Sequence, residues 1–330
     1  MRPKVSVIMP VLNGERFIGE ALQSIADQTY RNLEMVVVDD GSSDDTVGRI
    51  QAFRDKLDIR YLRHDAPLGI AVSVNDGLRH ATGDFFAFLD HDDAWFPEFV
   101  ETQWRYLAEH PDVGMVHSDF QTIDEEGRII EESVAICRDR QRPSGHVFRQ
   151  LFMDSFIVGN SVLIRRECLE RVGLFDESLR WGDYHLWLRI ARHYKIDYVG
   201  KVLTKYRQHS SQCTRSTTAK ATDAPPVPFQ AIQKLVDAHP EIRDELGEVT
   251  VRHRMASFHF DVAYGWFTSG ELANARVCLR RALRLWPTNV RYLALYASTF
   301  LRPSQARAAR DAWRRLRGEP EFAARGRMTQ

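Results

Sequence analysis

The sequence has few cysteines and no long hydrophobic run, and each of these absences excludes a class of protein. Four of the 330 residues are cysteine and none lies in a C-x-x-C pair, so neither a zinc site nor a disulfide framework is indicated. No apolar segment approaches the roughly 20 residues that a membrane-spanning helix needs. The first residues lead directly into a predicted strand rather than a signal peptide. These features predict a cytoplasmic protein with reduced thiols.

Glycine-rich phosphate-binding motifs are also missing. A dinucleotide-binding G-x-G-x-x-G would have to follow the first strand, where the sequence instead reads MPVLNGERF. This excludes a dinucleotide-dependent dehydrogenase. The same stretch lacks the basic, glycine-rich loop expected of a nucleotidyltransferase, so that class stays open only as an alternative.

The net charge of zero conceals two oppositely charged parts of the chain. From Arg276 to the C-terminus there are 13 arginines, no lysine and 3 acidic residues, so this segment is strongly basic and the remainder is acidic. The helix predicted over residues 304–317 could therefore lie on anionic lipid at the inner membrane face, or simply form a solvated surface. Nucleic acid is not an expected partner, because no binding motif accompanies the charge.

Apolar runs alternate with helical patterns along the first half of the chain. Such alternation predicts an α/β fold with parallel strands, in which ligands bind outside the carboxyl ends of the strands. The first strand is expected to be broken by Pro10, where it leaves the sheet, and Glu15 is placed in the first turn of the next helix. Pro10, Asp40 and Asp90 all fall at predicted strand ends. The predicted strands are residues 4–11, 33–38, 59–62, 85–89 and 156–165, whereas residues 119–142 show no clear period and are expected to cross the surface.

The sequence FFAFLDHDD carries the strongest local signal for a ligand site. In an extended backbone, residues two apart point to the same side, so Asp90 and Asp92 can direct their carboxylates at one point while His91 faces away. Mg²⁺ and Mn²⁺ prefer oxygen ligands and keep positions open for substrate phosphates. An acidic turn at the start of the following helix would give the same pattern.

Five phrases occur in order along residues 4–210: VSVIMPVLNGE, QTYRNLEMVVVDDGSSDDT, ATGDFFAFLDHDDAWFP, VGLFDE and DYHLWLRI. Together they resemble the family 2 glycosyltransferases of the GT-A fold. The resemblance implies a mixed, mostly parallel sheet with flanking helices. It also implies inverting transfer of a sugar from a nucleotide-sugar, usually a UDP-sugar, to a saccharide or lipid-linked saccharide, as in the synthesis of cell-surface polysaccharides or glycoconjugates. The implied cofactor is Mn²⁺ or Mg²⁺.

The same resemblance implies roles for individual residues. A carboxylate after the second strand would accept a hydrogen bond from the nucleobase, and the acids after the fourth strand would hold the metal and the diphosphate. A Y-R-x-H stretch would add a histidine ligand, for which an exposed loop histidine is the alternative, and an arginine that offsets phosphate charge. These residues are Asp40 for the base, Pro10 and Val11 for its pocket, Glu15 near the ribose, Asp90 and Asp92 for the metal, and His209 and Arg207 in the last stretch.

Asp183 matches the catalytic base of the family, and a helix N-cap is its structural alternative. The sequence departs from the family's pattern at three positions. Gly182 and His185 stand where relatives often have acids, and Val74 stands where many have an arginine. A catalytically silent nucleotide-binding module with a helical interaction tail therefore remains a second alternative.

The C-terminal part is predicted to be a separate all-helical region. The expected division is a catalytic domain over residues 1–215, a flexible linker or lid over 216–228, and a helical extension over 229–330. The extension contains the spacing of one tetratricopeptide-like hairpin, and one such unit is too few for a repeat array. The residues with that spacing are Ala263, Trp266, Gly270, Ala275, Ala282 and Pro287.

Overall fold

The computed structural model of the chain describes residues 2–132, 142–180, 182–212, 227–301 and 303–317. The chain divides into two compact units, residues 1–212 and 213–330. Most of the predicted linker, residues 216–226, lies outside the described residues. Its last two residues already belong to a helix that begins at Val227. Pro228 is tolerated there because the first turn of a helix has no partner for its backbone N–H.

The first unit combines one sheet with seven α-helices among the described residues. Its strands are β1 (Val5–Val11), β2 (Leu33–Asp39), β3 (Ile59–Arg63), β4 (Phe85–Phe88), β5 (Ala94–Trp95), β6 (Val113–Ile123), β7 (Ile129–Glu131), β8 (Val162–Arg165) and β9 (Lys195–Arg207). Its helices are α1 (Ile18–Ala26), α2 (Thr46–Gln51), α3 (Ile70–His80), α4 (Phe99–Glu109), α5 (Phe148–Met153), α6 (Arg166–Val172) and α7 (Asp183–Ala191).

The sheet is mixed, with its parallel part at the N-terminal side. The strand order is β3-β2-β1-β4-β8-β6-β9-β5, with β7 paired to β6. Strands β1 to β4 are parallel, β8 is antiparallel to both β4 and β6, and β9 is parallel to β6. This agrees with the predicted fold class. The carboxyl ends of β1, β2 and β4 therefore meet at one edge.

Strand β1 is buried on both faces because helices pack on each side of it. Val5, Val7 and Met9 share a core cluster with α1 residues that include Ile18 and Leu22. On the other face, Gly77 of α3 lies directly against Ile8, where an added Cβ would come within 2.6 Å of the isoleucine Cγ2. Gly77 thus allows the close approach of α3 to the sheet.

Several boundaries differ from those that the sequence predicts. Strand β1 continues through Pro10 and pairs with β2 up to Val11. Pairing between β1 and β4 ends at Ile8, so the missing N–H of Pro10 breaks no bond between those strands. Residues 119–142 were expected to cross the surface without a clear period, which is wrong for residues 119–123 and 129–131 because β6 extends to Ile123 and β7 follows. Residues 133–141 of this range lie outside the described residues. The predicted strand over residues 156–165 shortens to β8, preceded by a 3₁₀ turn at Gly159–Ser161.

The second unit is all helical in its described part. It comprises α8 (Val227–Ala238), α9 (Ile242–Leu246), α10 (Glu248–Thr268), α11 (Leu272–Leu285), α12 (Val290–Ser298) and α13 (Pro303–Arg317). Ala263, Ala275 and Ala282 are completely buried in its core, as close packing of two helices requires. The tetratricopeptide likeness of this hairpin stays a prediction. Among the described residues of the whole chain, no helix is both long and apolar enough to cross a bilayer.

Candidate active site

The parallel register brings the predicted base-pocket residues to one edge of the sheet. Val11 lies opposite Asp39, the last residue of β2. The backbone N–H of Asp40 donates to the carbonyl oxygen of Val11 at 2.8 Å. Pro10, Val11 and Asp40 are therefore adjacent, as the sequence predicts, although their role in base binding stays a prediction.

The Asp40 carboxylate is held by donors from the segment between β3 and α3. Its Oδ1 accepts from the backbone N–H of Leu68 and its Oδ2 from that of Gly69, both at 2.8 Å. His64 Nδ1 lies 2.8 Å from the same Oδ1. Two carboxylate oxygens offer about four acceptor sites, so roughly one remains for a ligand. His64 was not predicted to contribute, because nothing in its local sequence distinguishes it from a loop histidine.

Asp39 and Glu15 hold the loops around this edge. The Asp39 carboxylate is fully buried and accepts from the Ser42 backbone N–H and the Tyr61 hydroxyl. Burial alone would raise the pKa of Asp39, but these hydrogen bonds outweigh it and lower the pKa. Glu15 lies in the turn before α1, not in its first turn as predicted, and its Oε2 accepts from the Asp45 backbone N–H at 2.9 Å.

Three carboxylates follow β4 and lie close together. Oxygen atoms of Asp90, Asp92 and Asp93 lie within 4.8 Å of one another. Asp90 is accessible to solvent, whereas Asp93 is only 1% exposed. Desolvation in the cleft, together with the charges of Asp92 and Asp183, raises the pKa of Asp90 to about 7. The concentration of negative charge favours a cation at this point.

Asp93 ties this loop to the rest of the sheet, a role that the sequence prediction missed. Its Oδ1 accepts from the backbone N–H of Arg207 at 2.8 Å, and its Oδ2 accepts from the side-chain amide of Asn160. Both oxygens are therefore already engaged by protein donors. Asp90 and Asp92 have more freedom than Asp93 to bind a ligand.

The structure places His209 directly beside Asp92. Its Nε2 lies 2.8 Å from Asp92 Oδ2, and its Nδ1 lies 2.9 Å from the Ser211 hydroxyl. The ring is 5% exposed and packs against Phe17, so the alternative of a fully exposed loop histidine is wrong.

Arg207 cannot offset phosphate charge as predicted, because its side chain is 1% exposed and its guanidinium is occupied by the protein. It donates to the backbone carbonyls of Asp92 at 2.8 Å and Asp124 at 3.1 Å, and pairs with the Glu20 carboxylate. These contacts hold in place the segment of residues 90–93, the acidic loop.

The donor set at this loop fits a hard divalent cation. Asp90 and Asp92 offer carboxylate oxygens, and His209 Nε2, which lies in hydrogen-bond contact with Asp92, would give up that bond to act as a further ligand. Carboxylate ligands suit Mg²⁺ and Mn²⁺, and an imidazole is compatible with Mn²⁺. Asp92 also keeps its charge, because hydrogen bonding to His209 and nearby positive groups outweigh desolvation and lower its pKa.

Asp183 is the first residue of α7 and belongs to the same cleft. Its charge contributes to the raised pKa of Asp90, and burial raises its own pKa above the ordinary value. The N-cap position of α7 is occupied by Gly182, not Asp183. A side chain at residue 182 would place its Cβ 2.9 Å from the Phe175 ring, which accounts for the glycine there. Gly159 lies beside Asp183, whose Oδ2 would be 3.6 Å from a Cβ added at residue 159.

Asn75 connects the α3 side of the site to the segment that leads to Asp183. Its side-chain amide donates to the Phe175 carbonyl oxygen at 2.9 Å, and its Oδ1 accepts from the Phe175 backbone N–H at 2.9 Å. The preceding residue, Val74, is 4% exposed and packs in the interior. The valine that departs from the family at this position is therefore a buried core residue.

The chain is similar in sequence to known proteins. The sequence model described as "Glycosyl transferase family 2" matches residues 6–173. An uncharacterized glycosyltransferase of Rickettsia prowazekii is 33% identical over 219 residues, which cover 65% of this chain and 67% of the relative. The UDP-Glc:alpha-D-GlcNAc-diphosphoundecaprenol beta-1,3-glucosyltransferase WfgD of Escherichia coli is 30% identical over 209 residues, which cover 63% of this chain and 78% of WfgD.

Two groups of solved structures share the fold. S. aureus TarS residues 1–349 in complex with UDP-GlcNAc superposes with a TM-score of 0.62 at 21% identity, covering 96% of this chain and 93% of that one. The mannosyltransferase PcManGT from Pyrobaculum calidifontis, in complex with GDP-Man and Mn²⁺, gives a TM-score of 0.61 at 23% identity, covering 97% and 89%. At these identities the likeness shows the fold.

Proposed function

Because the chain belongs to glycosyl transferase family 2, we propose that it transfers a sugar from a UDP-sugar, with inversion, to a saccharide or lipid-linked saccharide hydroxyl. The observation that supports this proposal is the position of Asp40, Asp90 and Asp92 just after neighbouring parallel strands, with Asp183 near Asp90. Asp40 lies at the end of β2, Asp90 and Asp92 follow β4, and Asp183 begins α7 close enough to affect the pKa of Asp90.

The donor nucleotide binds along the ends of β1 and β2 in this proposal. The nucleobase lies against the backbone of Pro10 and Val11 and donates to the remaining acceptor site of Asp40. Glu15 lies near the ribose, on the loop that it pins to Asp45. The TarS complex with UDP-GlcNAc and the UDP-Glc specificity in the name of WfgD support a uridine donor.

The donor diphosphate binds at the acidic loop with a divalent metal. Asp90, Asp92 and His209 would hold Mn²⁺ or Mg²⁺, with Asp90 also close to the diphosphate. When bound, the ion acts as a Lewis acid that stabilises the negative charge of the departing diphosphate. The PcManGT complex with Mn²⁺ supports a metal in this fold. Arg207 and Asp93 keep the loop in place without touching the ligand.

Asp183 acts as the general base. It accepts the proton of the acceptor hydroxyl while that oxygen attacks the anomeric carbon from the face opposite the leaving diphosphate, which inverts the configuration. Burial raises the pKa of Asp183, and this brings the carboxylate closer to the range in which a base works well. The small residue Gly159 leaves space for the acceptor beside its Oδ2.

A panel of nucleotide-sugars tests the proposal. We expect one UDP-sugar, with Mn²⁺ or Mg²⁺, to raise the melting temperature and to be hydrolysed or transferred. EDTA should abolish both effects. Asp92→Asn should weaken Mn²⁺ binding at least tenfold by calorimetry, because it removes a charged ligand next to His209.

Asp58→Asn is the matched control, since Asp58 is exposed before β3, at the opposite edge of the sheet. Its metal binding should equal that of the wild type. Synthesis of a nucleotide-sugar from a triphosphate would instead indicate a nucleotidyltransferase. Nucleotide binding without any turnover would indicate a silent module.

The acceptor is proposed to be presented at an anionic membrane surface that the second unit contacts. The helix predicted to make this contact, residues 304–317, packs Trp313 into the core of the second unit, so that side chain is not available to a membrane. The segment from Arg276 onward is nevertheless strongly basic, and α12 has an exposed apolar stripe formed by Val290, Leu293, Ala294 and Ala297. Val290 is 75% exposed and Leu293 is 45% exposed. Apolar and cationic groups together are the combination that binds to anionic interfaces. The lipid-linked acceptor in the name of WfgD supports this assignment.

Vesicle sedimentation checks the membrane contact. The protein should sediment with phosphatidylglycerol vesicles and not with phosphatidylcholine vesicles. The double variant Val290→Asp and Leu293→Asp should reduce the bound fraction at least threefold, because it puts acids in the apolar stripe. Val249→Asp alters an equally apolar residue that is 67% exposed on α10, and it should bind as the wild type does. Equal loss in both variants would contradict a role of α12.

A further inference from the structure

His64 bridges two acidic side chains from different elements of the first unit. Its Nδ1 lies 2.8 Å from Asp40 Oδ1, at the end of β2, and its Nε2 lies 3.0 Å from Asp76 Oδ2, on α3. The His64 side chain is 12% exposed and the Asp40 side chain is 7% exposed. The ring therefore joins the carboxylate proposed to bind the nucleobase to a helix that packs against the sheet.

Both hydrogen bonds can exist together only when the imidazole carries two protons. A neutral histidine has one N–H, so it donates to one carboxylate and turns a lone pair toward the other. A protonated histidine donates to both, and each bond is strengthened by charge. The arrangement of one ring between two carboxylates is thus complete only in the charged form.

We propose that His64 is a positioning residue that orients the Asp40 carboxylate for the nucleobase and makes nucleotide affinity depend on its own protonation. This inference rests on the proposed uridine-nucleotide donor. Leu68 and Gly69 fix Asp40 through their backbone N–H groups, and His64 adds the only side-chain donor that an observed hydrogen bond brings to this carboxylate within the described residues. Without that donor, Asp40 keeps its two backbone hydrogen bonds, but its Oδ1 is held less firmly in the orientation that the base requires.

The charges around His64 support this behaviour. Desolvation lowers the pKa of His64, but the hydrogen bonds and charges of Asp40 and Asp76 outweigh it, so the pKa is raised. On α3, Arg79 pairs with Asp76 Oδ1 at 2.6 Å, and on β3, Arg63 pairs with Asp39 at 2.5 Å. Asp65 follows His64 on the exposed side. Because the folded pKa is raised, the bridge is complete at low pH and is lost as the pH rises through that pKa.

Calorimetric titration of the full chain with UDP and Mn²⁺, at pH values from about 6 to about 9, tests the proposal. At the lowest pH, His64→Gln should bind UDP roughly tenfold more weakly than the wild type, because a charge-assisted hydrogen bond is lost. The ratio of the two dissociation constants should approach one at the highest pH. Taking the ratio removes the titration of UDP itself, which is common to both proteins.

Two further variants separate positioning from folding. His64→Arg keeps a permanent charge and several donors, so its affinity should stay within threefold of the wild type at low pH and exceed it at high pH. His80→Gln changes an exposed histidine of α3 whose Nδ1 lies 2.8 Å from the Asp76 carbonyl oxygen, and it should follow the wild-type profile. Melting temperatures confirm that each variant is folded.

The outcomes are distinguishable. If the wild type binds UDP and His64→Gln shows the same affinity at every pH, the role of His64 is refuted while the proposed function stands. If no uridine nucleotide binds to the wild type at any pH, the proposed function and this inference both fail. A constant loss of affinity in His64→Gln, independent of pH, would reduce His64 to a structural residue and overturn the proposal.

Discussion

Replacing Asp183 with asparagine is expected to lower sugar transfer roughly a thousandfold, since a positioned general base contributes about 10² to 10⁴ in rate. Asparagine has nearly the same shape and still accepts the hydrogen bond that Tyr184 N donates to Asp183 Oδ1 at 2.8 Å. It cannot take a proton from the acceptor hydroxyl. The loss should therefore appear in kcat, and the affinity for UDP should stay within about threefold of the wild type. Steady-state transfer and UDP titration measure the two effects separately.

Asp154→Asn provides the matched control. Asp154 lies in the same unit but is exposed after α5, and its transfer rate should equal that of the wild type. If Asp183→Asn kept more than a tenth of the wild-type kcat, another group would have to act as base. If both variants lost activity and melted early, the loss would reflect folding instead of chemistry.

Arg207→Met is expected to lower the free energy of unfolding of the first unit by about 2 kcal/mol, the size seen when a buried backbone acceptor loses its hydrogen-bond donor. The substitution keeps much of the apolar stem but removes the donor to the Asp92 carbonyl oxygen and one of two donors to that of Asp124, which still accepts from the Gly127 N–H. Glu20 also loses its partner. Because the Asp92 carbonyl belongs to the acidic loop, Mn²⁺ affinity should fall together with stability. Urea unfolding and calorimetry on the full chain measure the two quantities.

Arg128→Met is the control for this change. Arg128 also pairs with Asp124, at 2.7 Å, but its side chain is 74% exposed. Surface ion pairs of this kind contribute at most about 1 kcal/mol. A fall in stability of similar size in both variants would mean that the burial of Arg207 carries no special weight.

The strand ends were predictable because they depend on a simple rule. A run of buried apolar residues that stops at a carboxylate, as at Asp40 and Asp90, marks the edge of a parallel sheet from the sequence alone. The position of Asp183 followed from the family resemblance. Its proximity to Asp90 depends on an antiparallel return of the chain that no local pattern encodes.

The residues that support the site were harder to predict. Asp93 was overlooked because it is one of three similar acids, and only the tertiary contacts with Asn160 and Arg207 distinguish it. Arg207 was predicted to offset phosphate charge because it lies in a stretch that resembles the family's Y-R-x-H. Its burial depends on Glu20 and on carbonyl groups that the fold brings from distant parts of the chain. His64 was missed for the same reason, because its contacts with Asp40 and Asp76 form only in the folded chain.

Arg207 is the last residue of strand β9, and His209 follows two residues later. The register of β9 against β6 shifts at several places before Thr204, but from Phe120↔Thr204 to Ile123↔Arg207 the pairing is regular. Insertions or deletions around residues 199–201 would therefore alter the irregularly paired part of β9 and leave Arg207 and His209 in place. A single deletion between Thr204 and Arg207, by contrast, would turn the Arg207 side chain to the opposite face of the sheet.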